Sequence, residues 1–143
     1  MQKIKKMLKA LDLVAPQGVY AMGLIVNKTE KKIMWNKMPY EIKKVDIDEN
    51  KDEIDLLKNI FAVLKYEKWL VLDLKIEMPS RIFAALKQLS LSNHIQFTEN
   101  DKLIELKQPE KSRVVVICNY AVTKKNEEEY AGFKNLFGPV III

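Results

Sequence analysis

Val114-Val115-Val116-Ile117-Cys118 is an unbroken apolar run that ends on Asn119. A strand with one wet face alternates apolar and polar residues, so such a run reads as a strand buried on both sides. Trp69-Leu70-Val71-Leu72 ends in the same way on Asp73, and Val19 to Val26 is a longer run of the same kind. Lys44 to Asp48 supplies a short strand with Val45 and Ile47 on one face, and Val140 to Ile143 a terminal one.

Helical spacing fills the intervals. Ile4, Met7, Leu8 and Leu11 share a face before Pro16-Gln17-Gly18 stops that helix. Ile54, Leu57, Ile60, Phe61 and Leu64 form a second stripe. Ile82, Phe83, Leu86 and Leu89 form a third, after the Pro79-Ser80 start signal. Asn126 with Glu129 opens a fourth helix that ends at Gly138-Pro139. His94 to Leu106 reads as a β-hairpin about an Asn100-Asp101 turn. Apolar strands separated by helices imply an α/β fold with a mainly parallel five-stranded sheet covered on both faces. Residues 24–38 stay open between a helix and a local hairpin, in which Ile25-Val26 would pair with Ile33-Met34-Trp35.

At 143 residues, 48% apolar, the chain fits one domain, 1–143, and no domain boundary is drawn within it. No 18-residue uncharged run is present, so no membrane partner is expected. Lys9 and Asp12 interrupt any apolar leader. Cys118 is the only cysteine and cannot form an internal disulfide, which suits a reducing, cytoplasmic setting. The net charge of +5 admits nucleic acid as a partner through a lysine-rich surface. Only Arg81 and Arg113 are arginines, however, and bidentate base reading favours arginine over lysine.

Polar residues at the ends of buried strands are where chemistry is expected. Asp73 would stand at the carboxyl end of a parallel strand, where open α/β sheets bind ligands, and could hold magnesium through a water beside a phosphate. Asn119 would emerge from another strand end and could orient a water or a phosphate oxygen. Each has a plainer reading as a strand terminator or turn cap. His94 is the only histidine, which excludes His-pair metal sites. Cys118 reads as an inert core thiol, and Tyr20, Trp35, Trp69 and Phe137 as core anchors.

From Lys68 to Ile143 the order of segments resembles the AAA+ ATPase core, in particular the MoxR, McrB and NtrC-like groups. Trp69-Leu70-Val71-Leu72-Asp73 is similar to the second Walker motif, and Met78-Pro79-Ser80-Arg81 begins a similar proline-led helix. His94 to Leu106 looks like the inserted hairpin, Arg113 to Asn119 like the sensor-1 strand, and Asn135-Leu136-Phe137 like the segment before the last core strand. The resemblance implies a three-layer sandwich of P-loop type with a small hairpin insertion. The implied strand order is last, first, fourth, third, second.

The departures are chemical. Leu74 stands where the family has its catalytic glutamate and Leu136 where it has the finger arginine; Glu77, four residues past Asp73, is displaced from the place a substitute base would need. Met22-Gly23-Leu24-Ile25-Val26-Asn27-Lys28-Thr29 keeps the final Lys-Thr of a phosphate loop without its framing glycines. The resemblance therefore implies a module that has lost hydrolysis and acts through a protein partner or self-association. ATP and magnesium are the only cofactors it suggests, and neither is expected to be required. Lys28, Thr29, Asp73 and Asn119 are the residues to which nucleotide binding would fall. A small basic nucleic-acid-binding protein is the alternative.

Overall fold

The computed structural model describes residues 2–13, 22–29, 31–66, 69–92, 94–107, 113–119 and 138–143. Helix α1 spans Gln2–Leu13, α2 Glu53–Lys65 and α3 Ser80–Ser92. The strands are β1 (Met22–Asn27), β2 (Ile42–Ile47), β3 (Trp69–Leu74), β4 (His94–Glu99), β5 (Lys102–Lys107), β6 (Val114–Asn119) and β7 (Val140–Ile142). Five of them form one sheet in the order β2-β3-β6-β1-β7, with every neighbouring pair parallel. That is the order that the resemblance implied.

The unbroken apolar runs have the predicted consequence. All six residues of β1 and of β3 are buried, as are Val114 to Cys118 of β6. Alternate side chains go to opposite faces, and each face has its own apolar cluster. Leu24, Leu72 and Val116 pack with Leu57, Ile60 and Leu64 of α2 and Ile82, Leu86 and Leu89 of α3. Ile25, Val71 and Ile117 pack instead with Ile4, Met7, Leu8 and Leu11 of α1.

Two contacts fix how α1 lies. The buried Arg113 Nε donates to the Leu11 carbonyl at 3.0 Å, where a cation also suits the negative end of the helix. Lys3 Nζ donates to the Ile142 carbonyl at 3.4 Å. The helix therefore runs antiparallel to the strands, with its N-terminal end at their carboxyl edge. Its approach to β1 is close. A Cβ placed on Gly23 would lie 3.0 Å from Leu11 Cδ1 and 3.2 Å from Met7 Sδ, so only glycine leaves α1 this near the sheet.

The hairpin forms as read from the sequence. Ile95 pairs with Leu106 and Phe97 with Ile104, about a two-residue turn at Asn100 and Asp101. Both turn residues have positive φ, 50° and 61°, which asparagine and aspartate tolerate and which matches the strand twist. Phe97 meets Phe61 edge-on at 4.8 Å, and Lys58 bonds Glu99 at 2.8 Å, so the hairpin is tied to α2.

Residues 24–38 form neither the helix nor the hairpin held open for them. Both edges of β1 are taken by parallel partners, β6 and β7, so no edge remains for Ile33-Met34-Trp35. Residues 31–34 have no regular structure, and Trp35–Lys37 is a single 3₁₀ turn. The Pro16-Gln17-Gly18 stop, Val19 and Tyr20, the 126–137 helix with Leu136, and Phe137 lie outside the described residues.

Two outcomes follow from this packing. Gly23→Val should destabilise the fold by about 1–3 kcal/mol through overpacking against Leu11 and Met7, lowering the urea midpoint without changing the slope. Tyr40 donates its hydroxyl to Asp12, and its pKa is raised by burial and by that carboxylate. Folding thus favours the protonated phenol, and this contribution is complete below pH 10 and fades as pH rises through the folded value. Tyr40→Phe should be less stable than the parent at pH 8, and the gap should narrow in urea melts taken above pH 10.

Candidate functional site

The carboxyl ends of β1, β3 and β6 carry Asn27, Asp73 and Asn119. Each continues an apolar run on the side of the sheet that α1 covers, as alternation with Ile25, Val71 and Ile117 requires. The register sets Asn27 beside Asn119 and Asp73 beside Ile117, so three polar side chains converge.

Asn119 is the joint. Its Nδ2 donates to Asp73 Oδ1 at 2.7 Å and to the Leu74 carbonyl at 2.9 Å. Asn27 Nδ2 donates to the Lys31 carbonyl at 3.0 Å and reaches Asn119 Oδ1 at 3.5 Å. The first of these bonds anchors the irregular segment after β1 to the strand ends. Asn27 is 3% exposed, and its Oδ1 is buried with no hydrogen-bond partner among the described residues.

Cations complete the site. Lys75 Nζ stands 3.2 Å from Asp73 Oδ2 and Lys44 Nζ 3.9 Å from the same oxygen. Lys44 also reaches Asp46 at 3.4 Å. Lys31 and Lys32 form another wall with Ile33 and Trp35, and the whole encloses about 540 Å³. That volume suits a small organic ligand or one nucleotide unit.

The lining has four lysines and a single carboxylate, and that carboxylate is already engaged on both oxygens. Such a set fits an anion. It does not fit the magnesium expected at Asp73, because the Lys75 ammonium occupies the side from which a hydrated cation would approach. Among the described residues, no group of three or more His, Cys, Asp or Glu converges elsewhere.

Of the four residues singled out from the sequence, the fold joins Asp73 and Asn119 in one hydrogen bond. Lys28 and Thr29 are exposed and do not line the cavity. The stretch that keeps the final Lys-Thr of a phosphate loop is strand over Met22–Asn27, as its Leu-Ile-Val run favours, and the Lys28 N–H is committed to the Ile143 carbonyl at 2.8 Å. Its backbone donors are used by the sheet and do not cradle a ligand. Leu74 is wholly buried in the α2–α3 cluster, on the opposite side of the sheet from Asp73. Glu77 is exposed and does not line the cavity. His94 is half-buried, 3.9 Å from Glu105, and Cys118 is buried. Trp69 is buried and stacks on Tyr40 at 4.2 Å, whereas Trp35 stands partly open in the cavity wall.

Sequence reasoning passed over Asn27 and the cavity lysines. Asn27 carried the same signal as Asn119, a polar residue closing an apolar run. The lysines carried none, since nothing local separates Lys31 or Lys75 from the rest.

Asn119→Ala should cost about 1–3 kcal/mol in urea unfolding, because it leaves buried acceptors on Asp73 and Leu74 unmet. In a double-mutant cycle, Asp73→Ala and Asn119→Ala should couple by more than about 0.5 kcal/mol. Comparison with family models and with curated proteins gives no match to this chain.

Proposed function

We propose that this chain is a degenerate module of the AAA+ kind, a three-layer sandwich of P-loop type that has lost ATP hydrolysis and acts by binding a partner. The observation that supports this best is the Asp73–Asn119 hydrogen bond between neighbouring strand ends, in a sheet ordered β2-β3-β6-β1-β7. The position directly after Asp73 is an inward-facing leucine. A water-activating base is worth about 10²–10⁴ in rate and an arginine finger roughly 10³–10⁵, and the resemblance puts leucine at both positions. Their losses need not multiply, yet either one alone would take turnover towards background.

A protein of this kind works through what it holds. A protein partner or a second copy of the chain is the occupant that the lost chemistry favours. The cationic cavity favours a second reading, a weak nucleotide binder without turnover, in which the lysines meet the phosphates while Asp73 and Asn119, bonded to each other, hold Lys75 and the strand ends in place.

Phosphate release from ATP with magnesium, against an Asp73→Ala control, tests the proposal. The expected result is background release from both proteins. Turnover of about 1 per second, a usual enzyme rate, that Asp73→Ala abolishes would overturn it.

A further inference from the structure

Charge is unevenly divided along this chain. Residues 1–45 hold ten lysines against three acidic residues, whereas residues 46–143 hold 14 basic and 16 acidic ones. The whole surplus of +5 therefore belongs to the first third of the sequence.

The fold sets seven of those ten lysines about the α1 side of the sheet. Because α1 lays Ile4, Met7, Leu8 and Leu11 on the sheet, Lys3, Lys5, Lys6 and Lys9 are turned outwards and exposed. The Lys3 contact with Ile142 sets the first turn of α1 at the carboxyl edge of the sheet. Lys31 and Lys32 follow on the same edge, then the cavity, then Lys75 and Lys44 beyond β3 and on β2. Across the five strands this basic edge is roughly 19 Å wide. Among the described residues, Asp73 in the cavity and Asp46 beside it on β2 are each paired with lysine. The α2–α3 side is nearer to balance, with Lys58, Arg81, Lys87 and Lys102 set among Asp52, Glu53, Asp55, Glu99 and Asp101, and Lys58 and Arg81 already paired with Glu99 and Glu53.

We infer that the α1 face and its cavity bind single-stranded nucleic acid without regard to sequence. Lysines track a phosphate backbone as point charges, and the near absence of arginine removes bidentate reading of base edges. The cavity gives a reason to prefer a single strand. Trp35 stands partly open in its wall beside Lys31 and Lys32, where an unpaired base can enter and stack, whereas a duplex offers no free base face. A lipid surface fits less well. The apolar stripe of α1 is sealed against the sheet, with Leu8 and Leu11 fully buried, and cannot insert among acyl chains. None of these lysines belongs to the motifs behind the lost hydrolysis; those of the cavity are shared with the weak-nucleotide reading, which a failure of oligo(dT) binding would leave standing.

The test is fluorescence anisotropy of the full chain with a labelled oligo(dT), a matched duplex and a polyphosphate competitor, at several salt concentrations. Oligo(dT) should bind at low salt and more tightly than the duplex. Its affinity should fall with salt, with a logarithmic slope near −0.7 for each phosphate neutralised. The K6Q/K9Q/K31Q/K32Q variant should lower that slope and weaken binding at least tenfold, while K87Q/K102Q on the other side changes neither. W35L should weaken oligo(dT) binding about tenfold and W35F much less, since stacking survives on phenylalanine. Circular dichroism confirms that each variant is folded. Absence of binding at low salt overturns the inference, as does equal loss in the two lysine variants. Polyphosphate displacement at equal charge, with W35L silent, overturns the single-strand assignment.

Discussion

Strands β3, β6 and β1 lie side by side with no solvent-facing surface, and most of the molecule follows from that. Each face needs an apolar cover, so α1 must lie on one and α2 with α3 on the other. Strands buried on both faces have room for polar side chains only where they end. Asn27, Asp73 and Asn119 are therefore found together because three apolar runs stop at one edge. The same packing that builds the core delivers the site.

What that site holds in place is decided by hydrogen bonding more than by charge. Asn119 satisfies one oxygen of Asp73 and the Leu74 carbonyl, and Asn27 pins the Lys31 carbonyl beside the strand ends. The lysines then sit around a carboxylate already fixed in orientation. One carboxylate among four lysines leaves an excess of positive charge facing the cavity, which is why an anion is the natural occupant.

Much of the fold was legible because it depends on runs and periods. Val114 to Cys118 and Trp69 to Leu72 gave buried parallel strands, the three apolar stripes gave α1, α2 and α3, and Asn100-Asp101 gave the hairpin turn. Asp73 and Asn119 were legible as the polar residues that close such runs. The segment after β1 was not. Ile33-Met34-Trp35 has the composition of a strand, and only the occupation of both β1 edges, a tertiary fact, denies it a partner. Lys28 and Thr29 stand outside the cavity for a related reason, since β1 continues through Asn27 and its ladder with Ile143 claims the Lys28 backbone donor. The cavity lysines could not be chosen from 22 lysines without knowing which side of the sheet each faces.

As proposed, the carboxyl edge on the α1 side is the working surface of this protein. Amide chemical-shift mapping of ¹⁵N-labelled chain during titration with inorganic pyrophosphate, a small anion with no base or peptide, tests it most directly. Shifts should concentrate at Asn27, Lys31, Lys32, Lys75 and Asn119 and saturate together, with α2 and α3 still. Shifts confined to the groove between α3 and the hairpin, or spread evenly over every lysine, would contradict it.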